Sequence, residues 1–211
     1  MKYTHILWDF NGTILDDLDA GINSVNQLLS ERGLPTVDSH ERYYEVFGFP
    51  IVDYYRRLGF DFDKEPYEVI APLWVELYLE NVKESPIFDD ILPTVELFGK
   101  MGLSQTVLSA TELEMLKKQL KLVDCLELFD EILGIDNIYA ASKVSLAEGW
   151  REKNPNAVPL MIGDTVHDAE VAERIGADCV LIARGHQSRK TLEKAGCPIY
   201  EDLDEMLKNI L

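Results

Sequence analysis

The sequence lacks the features that mark a membrane or secreted protein. No apolar run approaches the roughly 20 residues that a helix needs to span a bilayer, and residues 1–3, followed directly by a strand-like pattern, do not have the shape of a signal peptide. Cysteine is also scarce: Cys125, Cys179 and Cys197 are odd in number and show no spacing typical of metal ligands. These absences predict a cytoplasmic protein with reduced thiols.

Basic residues are few compared with acidic ones. The chain has 20 lysine and arginine residues against 38 aspartate and glutamate residues, which gives a formal net charge of −18. Binding to nucleic acid or to an anionic membrane surface requires a basic face, so this balance argues against both partners. An anionic small molecule remains compatible with it, provided that a metal ion and a few placed cations reverse the local field.

What the chain does contain is a distinctive stretch near its start. Residues 4–17 read THILWDFNGTILDD, in which a short apolar run ends in Asp9 and turn-forming residues follow. In a parallel α/β sheet, residues that follow the carboxyl ends of the strands line the ligand crevice. Asp9 is therefore a candidate nucleophile or metal ligand, or it anchors an Asn-Gly turn, and this stretch alone does not decide between them.

The rest of the chain divides into two parts with different patterns. Residues 16–85 show helical periodicity throughout, as in the apolar stripe of residues 18–29. From residue 86 onward, short apolar runs alternate with amphipathic helices, which is typical of βαβ units and a parallel sheet. We therefore expect an α/β fold, in which residues 1–15 and 86–211 form a Rossmann-like parallel sheet sandwiched by helices and residues 16–85 form an inserted, small α-helical cap domain.

The periodicity also predicts where individual elements lie. Strands are expected at residues 105–108, 131–133, 159–162 and 179–183. Helices are expected at residues 51–58, 66–82, 91–100, 112–121, 144–152, 166–175 and 203–210. In the cap region, Asp38 and Glu41 resemble a capping box that opens a further helix toward Val46.

Groups suited to phosphate chemistry fall beyond the ends of these strands. Asp9 follows the first strand, Ser109 the second and Asp164 the fourth, whereas Lys143 stands in the loop after the third. Asp168 comes four residues after Asp164, so a loop that turns directly into a helix puts both carboxylates on one side. A nucleophilic acid, a hydroxyl donor, a cation and a metal-binding acidic pair are what phosphoryl transfer needs.

Each of these groups also has an ordinary structural interpretation. Ser109 with Thr111 is suited to capping a helix, and Lys143 to a solvated surface. Asp164 and Asp168 suit the acidic first turn of a helix. The case for a functional site therefore depends on their occurrence together.

Taken together, the motifs resemble those of the haloacid dehalogenase-like hydrolases. The resemblance is carried by Asp9-Phe10-Asn11-Gly12-Thr13, Ser109, Lys143 and Gly163-Asp164-Thr165-Val166-His167-Asp168, in the family's order and approximate spacing. The pattern is most similar to the phosphoglycolate phosphatase or β-phosphoglucomutase type, whose helical cap is inserted between the first two motifs. The resemblance extends over essentially the whole chain and implies a phosphatase that acts on a small phosphorylated metabolite.

The resemblance also implies a role for each matching residue. Asp9 is the expected nucleophile, which forms an aspartyl-phosphate, and Lys143 is expected to neutralise charge on Asp9 and the phosphate. Mg²⁺ is the expected cofactor, with the Asp9 carboxylate, the Asn11 backbone carbonyl and Asp164 as ligands and Asp168 either binding the ion directly or supporting its ligands. The residues expected to bind the phosphoryl group or the rest of the substrate are Ser109, Gly12, Thr13, Ala110, Thr111, Phe47, Gly48 and His167.

Asn11 departs from the family pattern, which has an aspartate at this position that protonates the leaving oxygen and then deprotonates the attacking water. An amide cannot exchange a proton at neutral pH, and a positioned acid–base group typically contributes about 10²–10⁴ in rate. Three outcomes follow: a slow phosphatase that favours good leaving groups such as acyl or aryl phosphates, a phosphatase in which His167 transfers the proton, or a protein that binds a phosphorylated ligand without turnover. The more ordinary role of His167 is to pack against the site or to bond Asp164.

Two further segments bear on substrate choice. The cap loop at residues 47–50 offers aromatic surface and no charge, unlike a loop that grasps a second anionic group, and the arginines at residues 56–57 are expected to face solvent. Arg184, His186 and Arg189 form a basic cluster after a strand, which either borders the entrance to the site or is a solvated loop. The sequence determines neither the substrate nor the oligomeric state.

Overall fold

A computed structural model describes residues 2–136 and 143–211, and a parallel sheet lies at its centre. The strands described are His5–Trp8 (β1), Ser104–Glu112 (β2), Glu131–Ile135 (β3), Pro159–Gly163 (β4), Asp178–Ile182 (β5) and Ile199–Tyr200 (β6). Neighbouring strands are parallel and lie in the order β3-β2-β1-β4-β5-β6. This topology confirms the predicted α/β class with a Rossmann-like parallel sheet.

Helices cover both faces of the sheet, and those within residues 18–81 pack together after β1. They are Leu18–Glu31 (α1), His40–Val46 (α2), Ile51–Arg57 (α3), Tyr67–Asn81 (α4), Ile91–Lys100 (α5), Leu113–Leu122 (α6), Lys143–Lys153 (α7), Val166–Ile175 (α8), Arg189–Leu192 (α9) and Leu203–Ile210 (α10). In the described ranges, the helices are too short or too polar to cross a bilayer.

The sequence pattern misplaces one helix cap and misses several short elements, among them α9 and β6. Ser39 caps α2, because its Oγ accepts a hydrogen bond from the Arg42 amide, so the predicted capping box of Asp38 and Glu41 is wrong. The four-residue α9 and the two-residue β6 are not predicted, because segments of that length carry too little periodicity.

The central strands are buried on both faces, which explains their continuous apolar runs. Successive side chains of a strand point to opposite faces, and in β1 the side chains of Ile6 and Trp8 pack into the cluster that contains Phe98 of α5. Leu7 between them packs on the other face, in the cluster that contains Trp150 of α7. Ile6, Leu7 and Trp8 are fully buried. The sheet is therefore a layer between two sets of helices, as predicted.

Helices α1 to α4 follow β1 and enclose a hydrophobic cluster of their own. Its buried members are Leu18, Ile22, Val25, Leu28, Leu29, Val37, Tyr43, Val46, Tyr54, Tyr55, Leu58, Phe60 and Ile70. Trp74 on α4 packs against both this cluster and the core cluster, so it links the two. We propose the boundaries expected from the sequence, residues 16–85 against residues 1–15 with 86–211, as the limits of the cap and core domains.

The position of β1 in the sheet determines where a ligand site lies. The strand order reverses at β1, since the chain continues to β2 on one side and later to β4 on the other. In open α/β sheets, ligands bind beyond the carboxyl ends of the strands at such a reversal. Asp9 follows β1, Asp164 follows β4, and Ser109 lies where the pairing of β2 with β3 shifts register between Leu108 and Glu112. These three residues therefore lie at one edge of the sheet.

Candidate active site

The Asp9 carboxylate lies in a buried polar cluster at this edge. Asp9 is 8% exposed, and its backbone N–H donates to the Ile162 carbonyl of β4 at 2.9 Å. Its Oδ1 accepts a hydrogen bond from Lys143 Nζ, which also lies 2.5 Å from Asp168 Oδ1. Burial opposes the charge on Lys143, but Asp168 and Asp9 together hold its pKa above the ordinary value. The lysine is therefore protonated and balances negative charge beside Asp9.

Three buried carboxylates converge here with one lysine between them. One oxygen from each of Asp9, Asp164 and Asp168 lies within 4.8 Å of the others. Burial raises the pKa of Asp9 to about 6, although Lys143 opposes the shift, and burial raises the pKa of Asp164 well above its usual range. Burial acts on Asp168 too, but Lys143 and Thr165 lower its pKa below the ordinary value. Excess negative charge in a buried site favours a bound cation.

The carboxylate oxygens differ in how far hydrogen bonds already engage them. Asp168 Oδ1 contacts the buried lysine, and Oδ2 accepts from the backbone N–H groups of Asp164 and Thr165 at 3.2 and 3.0 Å. Asp9 Oδ2 and Asp164 Oδ1 instead have the Thr13 hydroxyl at 3.4 and 3.5 Å. These two weakly engaged oxygens are suited to a hard divalent cation, and an all-oxygen donor set fits Mg²⁺. Asp168 holds the lysine and the β4–α8 turn.

Glycines at three positions let the acidic side chains approach the backbone, and at Gly185 a Cβ would lie 2.1 Å from Asp164 Oδ2. Gly12 has φ of +73°, and a Cβ there would lie 2.2 Å from Asp164 Oδ2. At Gly163, a Cβ would lie 2.3 Å from Asp168 Cγ. A Cβ at any of these positions would displace a carboxylate, so the absence of a Cβ in glycine is part of how the site is built.

Both the nitrogen and the oxygen of the Asn11 side-chain amide form hydrogen bonds. Its Nδ2 donates to Asp17 Oδ2 at 2.9 Å and to Tyr78 Oη at 2.7 Å, and its Oδ1 accepts from Thr111 Oγ1 at 2.9 Å. Tyr78 in turn donates to Asp17 Oδ2 at 2.5 Å, and Asp17 Oδ1 accepts from the Gly12 N–H at 2.8 Å. The amide is therefore fixed between cap and core, and the backbone donor of Gly12 is already used by Asp17.

Asp17 and His186 are two site residues whose pairing the motifs do not reveal. His186 Nε2 lies 3.2 Å from Asp17 Oδ1, its Nδ1 lies 2.8 Å from Tyr43 Oη, and its backbone N–H donates to Asp164 Oδ2 at 2.6 Å. Burial opposes the charge on His186, but Asp17 and Asp164 raise its pKa to about 9. Burial likewise opposes the charge on Asp17, whose pKa is held below the ordinary value by His186. The two groups form a buried ion pair at neutral pH.

The basic cluster expected after β5 divides into three different environments. His186 lies in the site, whereas Arg184 pairs with Asp90 at 2.6 Å and lies 3.9 Å above the Phe88 ring. Arg189 pairs with an exposed glutamate at 2.8 Å. The signal that identifies His186 in the sequence is its place in a loop after a strand, which it shares with the other two, so the sequence alone does not single it out.

A cavity of about 270 Å³ extends from the carboxylates to the cap. Among the predicted site residues, those that line it are Asp9, Asn11, Phe47, Ser109, Ala110, Thr111, Lys143, Asp164, His167 and Asp168. Gly12 and Thr13 instead lie beside Asp164, and Gly48 lines a neighbouring cavity between the cap and α8. The roles assigned to these residues in substrate binding stay predictions.

Ser109 and His167 have clear local surroundings. Ser109 is 1% exposed and its Oγ accepts the Thr111 N–H at 3.1 Å, whereas the cap of α6 is the side chain of Glu112, so helix capping does not explain Ser109. The His167 ring packs on Phe49 with centroids 4.9 Å apart, and its Nδ1 lies 3.1 Å from a glutamate of the same helix. His167 thus packs against the cap at the cavity, and proton transfer by it stays a hypothesis.

Comparisons with known proteins bear on the family. The model of the haloacid dehalogenase-like hydrolases matches residues 6–182. A relative from Caldanaerobacter subterraneus named as a pyrophosphatase is 25% identical over 100% of this chain and 96% of its own, and a phosphoglycolate phosphatase from Synechococcus elongatus is 24% identical over 92% and 89%. A haloacid dehalogenase-like family hydrolase from Streptococcus pneumoniae has a TM-score of 0.85 at 20% identity, with 99% of each chain covered. The chain therefore belongs to the haloacid dehalogenase-like hydrolases.

Proposed function

We propose that the protein is a Mg²⁺-dependent phosphatase that hydrolyses a small phosphorylated metabolite through an aspartyl-phosphate on Asp9. The observation that carries this proposal is the meeting of Asp9, protonated Lys143 and Asp164 in the wall of one cavity. The names of two relatives, a pyrophosphatase and a phosphoglycolate phosphatase, support the reaction class.

The residues of the chain can carry both halves of the reaction. A carboxylate oxygen of Asp9 attacks phosphorus, the bond to the leaving oxygen breaks, and water then hydrolyses the aspartyl-phosphate to release inorganic phosphate and regenerate Asp9. Lys143 balances the charge on Asp9 and on the phosphoryl oxygens as the transition state forms. The Ser109 hydroxyl and the residue Ala110 lie along the same cavity and are suited to bind those oxygens, whereas the Thr111 hydroxyl already donates to Asn11.

The acidic cluster is suited to hold the metal ion of the proposed reaction. Asp9 and Asp164 would hold Mg²⁺ with the backbone carbonyl of Asn11, and Asp168 would support them. The ion would supply charge neutralisation and orientation for the phosphoryl group. Burial raises the pKa of both Asp9 and Asp164, and a bound cation would stabilise their charged forms.

Proton transfer is the step that this chain supports least. The Asn11 amide is bonded to Asp17, Tyr78 and Thr111 and does not titrate near neutral pH. The leaving oxygen therefore receives no proton from this residue. We expect faster turnover of acyl and aryl phosphates, whose leaving groups need no proton, than of ordinary alkyl esters.

Hydrolysis of acetyl phosphate and 4-nitrophenyl phosphate by the purified protein tests the proposal. We expect phosphate release with Mg²⁺, loss of release with a chelator, and loss in Asp9→Asn. Asp19→Asn is a matched control, because the Asp19 side chain is 81% exposed, and it should retain the wild-type rate. Equal release by the wild type and Asp9→Asn would contradict the proposal.

Asn11 specifically favours a second candidate function, which is binding of a phosphorylated ligand without turnover. Calorimetry with Mg²⁺ and phosphorylated compounds separates the two. Binding without phosphate release, even of acetyl phosphate, supports the second function, and Mg²⁺-dependent release supports the first.

A further inference from the structure

The cap side of the cavity is built from aromatic rings. Phe47, Phe49, Tyr54, Trp74 and Tyr78 all line it. Trp74 stacks on Tyr78 with centroids 4.8 Å apart and an interplanar angle of 12°, and Phe47 meets Tyr54 edge to face at 5.3 Å. Since these rings pack on one another, the cavity presents a preformed apolar surface to a ligand.

The tyrosine hydroxyls closest to the polar groups are already engaged. Tyr43 Oη lies 2.8 Å from His186 Nδ1, and Tyr78 Oη donates to Asp17 while it accepts from Asn11. These two rings therefore offer a ligand their apolar faces more than their hydroxyl groups. A polar or charged substituent on the substrate would gain little from them.

The positively charged side chains that line the described part of the cavity already have carboxylate partners. Lys143 and His186 line it, and each is held by buried carboxylates. In the described part of the chain, the cap contributes neither lysine nor arginine to the lining. Arg57 donates to the neutral Val46 carbonyl at 2.6 Å and lines the neighbouring cavity, and Arg56 pairs with an aspartate of its own helix at 2.7 Å. A second anionic group held inside this cavity would therefore meet no lysine or arginine from the described part of the cap.

The consequence is a preference between kinds of substrate. The carboxylate of phosphoglycolate or the second phosphate of pyrophosphate would be buried among rings without a counter-charge, which is strongly unfavourable. An aromatic ring in the same place gains free energy from burial and from contacts with the surrounding rings. The volume of about 270 Å³ lies just below the roughly 300–1,000 Å³ typical of ligand sites, which favours one ring over a nucleotide.

We propose that the substrate is the phosphate monoester of a small alcohol that carries one aromatic ring, with the ring against Trp74 and Phe47 and the phosphate at Asp9. This inference rests on the proposed function and adds the substrate class to it. The preference arises from binding of the ring, so it extends to esters whose leaving groups are not activated.

The decisive comparison uses substrates with similar leaving groups. Benzyl phosphate and 2-phosphoglycolate both release a primary alcohol, so leaving-group chemistry does not separate them strongly, and hexyl phosphate is the apolar control without a ring. We expect kcat/KM for benzyl phosphate to exceed that for phosphoglycolate by about tenfold or more, and that for hexyl phosphate by a few-fold. Equal or faster turnover of phosphoglycolate or hexyl phosphate would overturn the proposal.

Variants of α4 test the role of the ring itself. Trp74→Leu should lower kcat/KM for benzyl phosphate about tenfold, chiefly through KM, and Trp74→Phe should restore most of the loss. Val69→Ala on the same helix should have no effect, because Val69 is 50% exposed and lies outside the cavity lining. An equal loss with acetyl phosphate, which has no ring, would mean that Trp74 acts only on the fold, and would count against the proposal.

Failure of the substrate class and failure of the proposed function give different results. If acetyl phosphate is hydrolysed but phosphoglycolate is preferred to benzyl phosphate, the phosphatase stands and the aromatic substrate is wrong. If no phosphate is released from any compound, the proposed function is wrong, and the calorimetric affinities for benzyl phosphate and phosphoglycolate then decide the preference of the cavity.

Discussion

At the scale of single residues, Asn11 is where the chain departs most from the chemistry expected of its family. The amide has partners on three sides, and the Asp17 carboxylate lies 2.9 Å from its Nδ2. The site therefore holds a carboxylate one hydrogen bond away from the position where the family pattern has one. Restoring the acid at residue 11 changes proton transfer and local charge together.

We expect Asn11→Asp to raise the rate of alkyl phosphate hydrolysis by about 10²–10⁴ relative to acetyl phosphate hydrolysis. The new carboxylate lies beside Asp17, so repulsion raises its pKa and makes the protonated form accessible. The same repulsion lowers stability, and the exchange variant Asn11→Asp with Asp17→Asn should recover part of that loss. Steady-state kinetics and urea unfolding measure the two effects, with intact-mass analysis to exclude deamidation of the Asn-Gly pair. An unchanged ratio of the two rates would contradict the argument.

Residue types at strand ends made part of the candidate site predictable from the sequence. Asp9 and Asp164 come together because β1 and β4 are neighbours in the sheet, a topology that follows from the βαβ pattern. The pairing of Asp17 with His186 was not predictable, because 169 positions separate them and their contact depends on how a cap-side turn meets the loop after β5. The same holds for Tyr78, whose apolar surroundings in the sequence suggest only a core ring.

At the scale of elements, strong periodicity and clear end signals decided what could be predicted. Helix α8 begins after Thr165 and ends before Gly176, which has the left-handed φ of 65° typical of a helix end, and its bounds match those predicted. Strand β2 is longer than predicted, because its pairing with β3 shifts register after Leu108 and resumes at Glu112. The cap of α2 was misplaced by one residue, since Asp38 and Ser39 are both good capping residues.

Asp168 stabilises the start of α8 and also holds the buried lysine. We expect Asp168→Asn to lower the free energy of unfolding by about 1–3 kcal/mol, because it removes one of the two carboxylates that hold Lys143 and an acceptor for the Asp164 and Thr165 amides. Glu173→Gln, an exposed acid-to-amide change on the same helix, is the matched control and should stay within about 0.5 kcal/mol of the wild type. Urea unfolding measures both, and a comparable loss in the two variants would show that the lysine contact contributes little.

At the scale of the whole molecule, the cap and the core meet through a small number of buried polar contacts. Tyr43 of α2 contacts His186, and Tyr78 of α4 contacts Asp17, so the ion pair formed by His186 and Asp17 lies at the junction. On the cap side of this junction lies the hydrophobic cluster of α1 to α4, and on the core side lie the two hydrophobic clusters that pack on the faces of the sheet. Because His186 titrates, the free energy of unfolding should depend on pH through this ion pair.

His186 should stabilise the metal-free protein in a pH-dependent way. Its pKa is raised from 6.5 to about 9 in the folded state, so its contribution is present in full below about pH 6.5 and is lost as the pH rises through 9. At about 1.4 kcal/mol per pH unit, the contribution is about 3 kcal/mol. Urea unfolding with a chelator at pH 6.5 and 9.5 should show this fall for the wild type and a smaller fall for His186→Gln. Parallel pH profiles would show that another group is responsible.

The hydrogen bonds of Asp17 also couple the position of α4, which covers the cavity, to the conformation of the turn at residues 10–13. The Asp17 carboxylate accepts a hydrogen bond from the Tyr78 hydroxyl of the cap. It also accepts hydrogen bonds from the Gly12 amide and the Asn11 side chain, which lie close to Asp9 in the sequence. Lifting α4 away from the core removes a donor from Asp17 and a neighbour from Asn11 in one movement. Opening the cavity to solvent would therefore also weaken the contacts that order the turn after Asp9. That turn has its full set of hydrogen bonds only while α4 covers the cavity.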